Sequence, residues 1–341
     1  MRWQFDHNSL SEYRGPFGCY APAKWQPISV SPRENSVTGL SDCNEPTLGP
    51  IVAFLTVLRD WTMSIADKRR AFRTLHQSGC FVIPNPWNAG SARYLQGLGF
   101  KALATTSSGY AHSIGYSDGD VTRDTVLAHC REIAQVADIP VNADFEGGYA
   151  DGPEDVAANV RLCVDTGVAG LSIEDFNGND ADPLYDFDLA VKRVRAARDA
   201  IDKAGGDVVF TARTEGFIKG RPDLVETVRR LKAFADAGAD CLYAPGIHTR
   251  EQIETVVKAV APLPVNLLMP APMGFTVSDI AAIGVRRISV GGTLARVAMH
   301  AFIQSARQIA QEGKFDSFGG VVPNAELNKF FHDDLSRRSR P

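Results

Sequence analysis

From Met63 onward, short apolar runs rich in β-branched residues recur at regular intervals and alternate with stretches of helical period. The runs are Cys80 to Ile83, Ala102 to Thr106, Pro140 to Phe145, Gly170 to Asp175 and Val208 to Glu215, then Cys241 to Pro245, Pro264 to Met269 and Arg287 to Gly291. Segments of this length and makeup read as buried strands. Amphipathic stretches such as Asp188 to Lys203 and Pro222 to Ala237 predict helices between them. Glycine closes several, as in Ala237-Gly238-Ala239-Asp240 and Ile283-Gly284-Val285-Arg286, where a left-handed C-cap turns the chain toward the next strand. Eight such repeats predict an α/β fold, an (α/β)8 TIM-type barrel. A doubly wound open sheet is the alternative, but no G-x-G-x-x-G follows the first strand.

The pattern is different before Met63. Pro16, Pro22, Pro27, Pro32, Pro46 and Pro50 punctuate a serine-rich stretch without sustained period. Residues 1–62 are therefore expected to be a poorly ordered extension or an over-long gene model, 63–331 the barrel and 332–341 a flexible tail. Intact-mass analysis of the native protein tests the gene-model version, which fails if residues 1–62 are present.

With 341 residues, 44% of them apolar, the chain can bury the core of one large α/β domain. A net charge of -4 leaves no electrostatic footprint for nucleic acid or an anionic membrane. The expected partners are small molecules or further copies of the chain. Cys19, Cys43, Cys80, Cys130, Cys163 and Cys241 form no C-x-x-C pair and read as reduced thiols. The longest apolar run, Ile51 to Leu58, is too short to span a bilayer, and a cytoplasmic location is expected.

In a barrel of this kind, the C-terminal ends of the strands converge on one mouth, where chemistry is normally found. The second strand leads into Thr106-Ser107-Ser108-Gly109, the third ends in Asn142-Ala143-Asp144, the fourth in Glu174-Asp175 and the fifth in Arg213-Thr214-Glu215. Strand alternation puts Asn142 and Asp144 on one side, two oxygen-bearing side chains suited to Mg2+ or Mn2+. Such a cation keeps several waters, so Glu174 and Asp118 are candidates to hold it through water. The alternative is that Asp144 caps a helix. Ser107, Ser108 and Gly109 offer hydroxyls and backbone amides for a carboxylate or phosphonate, or else form only a tight turn. Arg213 needs an anionic partner, either a substrate carboxylate or an internal pair with Glu174 or Glu215.

Taken together, Pro86-Trp87-Asn88-Ala89-Gly90-Ser91-Ala92-Arg93, Ser108-Gly109, Gly115-Tyr116-Ser117-Asp118, Asn142-Ala143-Asp144, Ile173-Glu174-Asp175 and Ala212-Arg213-Thr214 resemble the isocitrate lyase and phosphoenolpyruvate mutase superfamily over Met63 to about Phe331. The resemblance implies a metal-dependent enzyme that stabilises the enolate of a small α-keto acid. It implies metal-site roles for Asp144 and Glu174 with Asp118 in the same cluster, a substrate carboxylate on Ser108 and Gly109, and Arg213 steadying the anion. It also implies dimers or tetramers in which a C-terminal helix, within Thr293 to Gln311 and the tail, is exchanged between subunits.

Three departures narrow the chemistry. The family's usual D-A-D has become Asn142-Ala143-Asp144, with one negative charge fewer. The lyases' K-K-C-G loop after strand four is replaced by Phe176-Asn177-Gly178-Asn179-Asp180, which has neither lysine nor cysteine. Where the lyases often present a glutamate after strand six, the chain has Ala244-Pro245-Gly246-Ile247-His248, leaving His248 as a candidate acid or base. Retro-aldol cleavage needs a base and an acid that the missing loop supplies, whereas decarboxylation of a β-keto acid such as oxaloacetate needs only electrostatic stabilisation of an enolate. C–C cleavage of that simpler kind is the leading expectation. Phosphoenolpyruvate mutase or phosphonopyruvate hydrolase chemistry, methylisocitrate-type cleavage, and a barrel that binds a carboxylate without turnover are the alternatives.

Overall fold

The computed structural model describes residues 63–205 and 207–338; the expectations for residues 1–62 lie outside them. Eight parallel strands form the barrel: β1 Phe81–Ile83, β2 Leu103–Ala104, β3 Val141–Asp144, β4 Gly170–Glu174, β5 Val209–Arg213, β6 Cys241–Tyr243, β7 Val265–Leu268 and β8 Arg287–Ser289. Each falls within one of the eight apolar runs. Neighbours pair in the order β1-β8-β7-β6-β5-β4-β3-β2. The seam between β1 and β2 is bridged by Ala104 N donating to Pro84 O at 3.1 Å. Asn85 reinforces it, because its Nδ2 donates to Thr105 O while its Oδ1 accepts the Val290 and Gly291 amides at 3.0 and 2.9 Å.

The helices are α1 Ile65–Leu75, α2 Ala89–Gly97, α3 Ser107–Ser113, α4 Arg123–Val136, α5 Pro153–Val164 and α6 Phe187–Lys203. They continue with α7 Leu224–Asp236, α8 Arg250–Val260, α9 Val277–Ile283, α10 Thr293–Glu312 and α11 Asn324–Arg338. Their starts are written in the sequence: Asp186 and Asp223 each accept two amides of the following turn, and Thr249 and Thr276 complete capping boxes. α9 ends on Gly284 in the left-handed region, as the glycine spacing predicts.

Outward-facing strand residues such as Ala143, Leu171, Phe210, Leu242 and Ile288 join the helices in the main core. A smaller cluster around Phe72, Phe81 and Ile83 carries α1 against the sheet. A Cβ at Gly170 would lie 2.5 Å from the Phe72 ring and 2.8 Å from Asn142 Oδ1, so only glycine fits where these meet.

The expected domain end at Phe331 falls inside α11, which packs on α2 of its own chain. Arg93, buried in α2, donates to both oxygens of the buried Asp334 and to Asp138. The Phe330 ring fills the space a side chain at Gly97 would need. The Pro86–Arg93 motif is thus partly architectural: Asn88 and Ser91 form a capping box and Arg93 anchors α11. α10, by contrast, buries only Ala295 and leaves Val297, Phe302 and Ile309 exposed. Among the described residues no helix is long and apolar enough to cross a membrane, and the four cysteines are free thiols.

Candidate active site

β2 is short because Thr106 stops it. The Thr106 hydroxyl accepts the Gly109 amide at 3.4 Å, and the chain turns helical at Ser107. Ser107, Ser108 and Gly109 are therefore the first turn of α3 and not a free loop. The Ser107 amide donates to Asp144 Oδ2 at 3.0 Å, which fixes that carboxylate at the end of β3. Gly109 has to be glycine for packing: a Cβ there would meet Thr106 at 2.6 Å and Ala295 of α10 at 3.1 Å. Ser108 faces the turn after β8, where a Cβ on Gly292 would lie 2.4 Å from its hydroxyl.

Arg213, at the end of β5, is the cation of the mouth. It donates through Nε to Glu215 and lies 3.3 Å from Glu174 and 3.4 Å from Asp144. The alternative of an internal pair with Glu174 or Glu215 is thus realised with both residues at once. Burial by itself would lower the Arg213 pKa, but Glu174 and Glu215 raise it well above its ordinary value. Glu174 is shifted up, first by burial, with Arg213 opposing and Glu215, Asp144 and Glu146 adding repulsion. Asp118 belongs to an exposed rim segment, yet its carboxyl faces the mouth, where loss of water and Asp144 raise its pKa against the Ser107 hydrogen bond.

The neighbouring residues divide by alternation. Glu174 points into the barrel, whereas the buried Asp175 points away and braces β5 by accepting the Glu215 amide, the Thr214 hydroxyl and Arg230. Glu146, two residues beyond the end of β3, sits in the left-handed region at φ 45° and accepts the Tyr149 hydroxyl at 2.7 Å. Burial pushes its pKa up to about 7, the Tyr149 bond opposes this, and Asp144 and Asp118 add to it. His248 is exposed at the start of α8, with Nδ1 3.1 Å from Gly246 O, and is absent from the lining of the mouth.

Asn142 is buried below Asp144. Its Nδ2 donates to Ala143 O at 2.9 Å, and its Oδ1 lies 3.4 Å from Nη1 of Arg287. Arg287 escaped sequence reasoning because it reads as the polar start of an apolar run. The signal that would have found it is the set of polar residues within strands β3, β5 and β7, namely Asn142, Thr211 and Asn266, which surround it.

Ser107, Ser108, Asp118, Asn142, Asp144 and Arg213 line one cavity of about 160 Å³ that reaches down to Arg287. Pockets for drug-sized ligands hold roughly 300–1,000 Å³, so this one suits a compound of a few carbons. Among the described residues no group of three or more His, Cys, Asp or Glu side chains has the geometry to enclose a metal ion. The donor chemistry nevertheless fits a hard cation that retains water: Asp144, Glu174 and Asp118 gather about Arg213 at the mouth, and their carboxylates repel one another.

Comparison with known proteins gives the same picture. The family model for phosphoenolpyruvate phosphomutase matches residues 72–310. An uncharacterized Mycobacterium tuberculosis protein is 31% identical over 272 residues, covering 79% of this chain and 99% of its own. The oxaloacetate decarboxylase of Paraburkholderia xenovorans is 29% identical over 259 residues, covering 72% and 83%. A solved structure of a Burkholderia cenocepacia protein, described as a lyase or mutase, is 44% identical, covers 79% of this chain and 97% of its own, and superposes with a TM-score of 0.76. Barrel, ordered motifs and matched span agree: this chain is an enzyme of the phosphoenolpyruvate phosphomutase family, within the isocitrate lyase and phosphoenolpyruvate mutase superfamily.

Proposed function

We propose that the protein is a divalent-metal-dependent lyase that cleaves a C–C bond of a small α-keto acid, with oxaloacetate decarboxylation as the leading reaction. The observation that carries this reading is the convergence of Asp144, Asp118, Arg213 and the Ser107–Ser108 turn on one small cavity at the C-terminal ends of the strands, with Glu174 3.3 Å from Arg213 beside it. Asp144 would hold Mg2+ or Mn2+, with Glu174 and Asp118 acting through water. Asn142 has its amide committed to Ala143 and Arg287 and so is the weaker candidate. When bound, the cation supplies Lewis-acid polarisation of the keto oxygen.

The chain's own residues do the rest. Arg213 presents a guanidinium to the substrate carboxylate, and the Ser108 hydroxyl orients it. Breaking the C3–C4 bond leaves its electron pair in the C2–C3 enolate and releases CO2; C3 then takes a proton to give pyruvate. No base has to remove a hydroxyl proton, consistent with the absence of lysine and cysteine from residues 176–180. The relative named oxaloacetate decarboxylase supports this choice. Phosphonopyruvate chemistry is the second reading, favoured by the description of the family model.

The deciding assay is Mg2+-dependent pyruvate formation from oxaloacetate. Saturable turnover that disappears in Asp144→Ala is expected. Faster phosphate release from phosphonopyruvate would overturn the reading in favour of P–C chemistry.

A second copy of the chain is the proposed macromolecular partner. The outer face of α10, with Phe302 65% exposed and Val297 62%, is more apolar than a monomer's surface helix needs to be.

A further inference from the structure

Arg287 is 2% exposed, and its guanidinium is met only by uncharged acceptors. Nε donates to Asn266 Oδ1 at 2.9 Å; Nη1 donates to Thr211 Oγ1 at 3.0 Å and lies 3.4 Å from Asn142 Oδ1. Among the described residues no carboxylate lies within ion-pair distance of it, although nearly every other buried arginine of the barrel has an acidic or multiple carbonyl partner. Arginine keeps its proton in proteins, so a full positive charge stands at the bottom of the cavity that Asp144 and Arg213 line at the top. A buried charge without a counter-ion is costly and points to a ligand that supplies one.

Strand geometry sets the distance. Asn142 and Thr211, which flank Arg287, precede Asp144 and Arg213 by two residues on β3 and β5. The two guanidiniums therefore belong to successive layers of the barrel, about 7 Å apart along the strands. That separation matches a short dicarboxylate standing along the barrel, one end at the metal-site acids and Arg213, the other at Arg287.

Position 142 then acquires a reason for being neutral. Aspartate there would face Arg287 across the 3.4 Å contact and pair with it, removing the charge that a ligand would otherwise meet.

We propose that Arg287 is a specificity-determining residue that recognises a second carboxylate of the substrate, and that Asn142 keeps its charge available. This rests on the keto-acid reading above. Where that second carboxylate is the one lost as CO2, its grip favours the bound ground state, so Arg287→Met should raise KM more than it lowers kcat.

Two unreactive head-group mimics test the proposal by calorimetry on the full chain with saturating MgCl2: lactate, with one carboxylate, and malate, with two. Wild type is expected to bind malate at least about tenfold more tightly than lactate, the value of one charged hydrogen-bonded contact. Arg287→Met and Asn142→Asp should each bring that ratio toward one. The second variant is nearly isosteric, so it reads the charge even if the first fails to fold. A ratio near one in wild type, or one surviving both substitutions, would overturn the role of Arg287 alone. Binding of neither acid would overturn the keto-acid reading beneath it.

Discussion

The Asp144 carboxylate accepts the backbone amide of Ser107 at 3.0 Å, so the acid at the end of β3 is held by the first turn of α3 from the neighbouring strand. One oxygen is thereby oriented while the other faces Arg213 at 3.4 Å. Replacing Asp144 with Ala should remove the proposed metal position and reduce Mg2+-dependent pyruvate formation by at least about a hundredfold, since supporting groups alone cost 10–100-fold. Circular dichroism should stay native. Retention of activity at subsaturating Mg2+ would rule out the ligand role.

Arg213 engages Glu215, Glu174 and Asp144 at once, which a point charge on a flexible stem cannot reproduce. Arg213→Lys should keep the fold yet lower kcat/KM by about a hundredfold, as expected when a charged fork in the site is lost. Steady-state kinetics beside a melting curve separates the two effects; a variant with unchanged kcat/KM would confine Arg213 to a structural ion pair.

The buried Arg93–Asp334 pair ties α11 to α2, and Asp138 still holds Arg93 when Asp334 is gone. Asp334→Ala should therefore loosen α11 by about 1–3 kcal/mol and leave the barrel intact. Hydrogen exchange of residues 324–338 should quicken selectively. Uniform acceleration across the strands would contradict this local role.

Phe302 stands at the centre of the exposed apolar face of α10. Phe302→Glu should convert the proposed dimer or tetramer to monomer in sedimentation experiments, because a charge at the middle of an apolar interface is costly to desolvate. A wild-type protein that sediments as a monomer would dispose of the second copy as partner.

His129 is buried in α4, stacked on Tyr110 at 3.7 Å, with neither ring nitrogen hydrogen-bonded and the Glu132 carboxylate at 3.9 Å. Burial pushes its pKa down to about 4 from 6.5. Between those values the unfolded chain takes a proton that the folded chain does not, so stability present above pH 6.5 declines as pH falls toward 4. The contribution at pH 5 is about 2 kcal/mol. His129→Phe keeps the stacked ring and should lose that much less stability than wild type between pH 7.5 and pH 5 in urea titrations. An equal loss in both would show that His129 is not responsible.

The sequence by itself determined the barrel and most of its mouth. Eight apolar runs, glycine stops and capping residues are local signals, and each strand needed only its own residues and its place in the repeat to be recognised. The placement of Asp144, Glu174 and Arg213 at strand ends, with Ser108 just beyond β2, was legible for the same reason, because strand ends of a barrel must converge. What the sequence withheld depends on direction and on partners far along the chain. Glu174 and Asp175 are adjacent yet face opposite sides of the sheet, and only the pleat decides which one enters the mouth. That Arg287, 145 residues later, lies 3.4 Å from Asn142 Oδ1 is also absent from the local pattern. The dock of α11 on α2 likewise joins Arg93 to Asp334 across 241 residues. Periodicity encodes which residues are buried together within an element; closure of the barrel decides which charges then face one another.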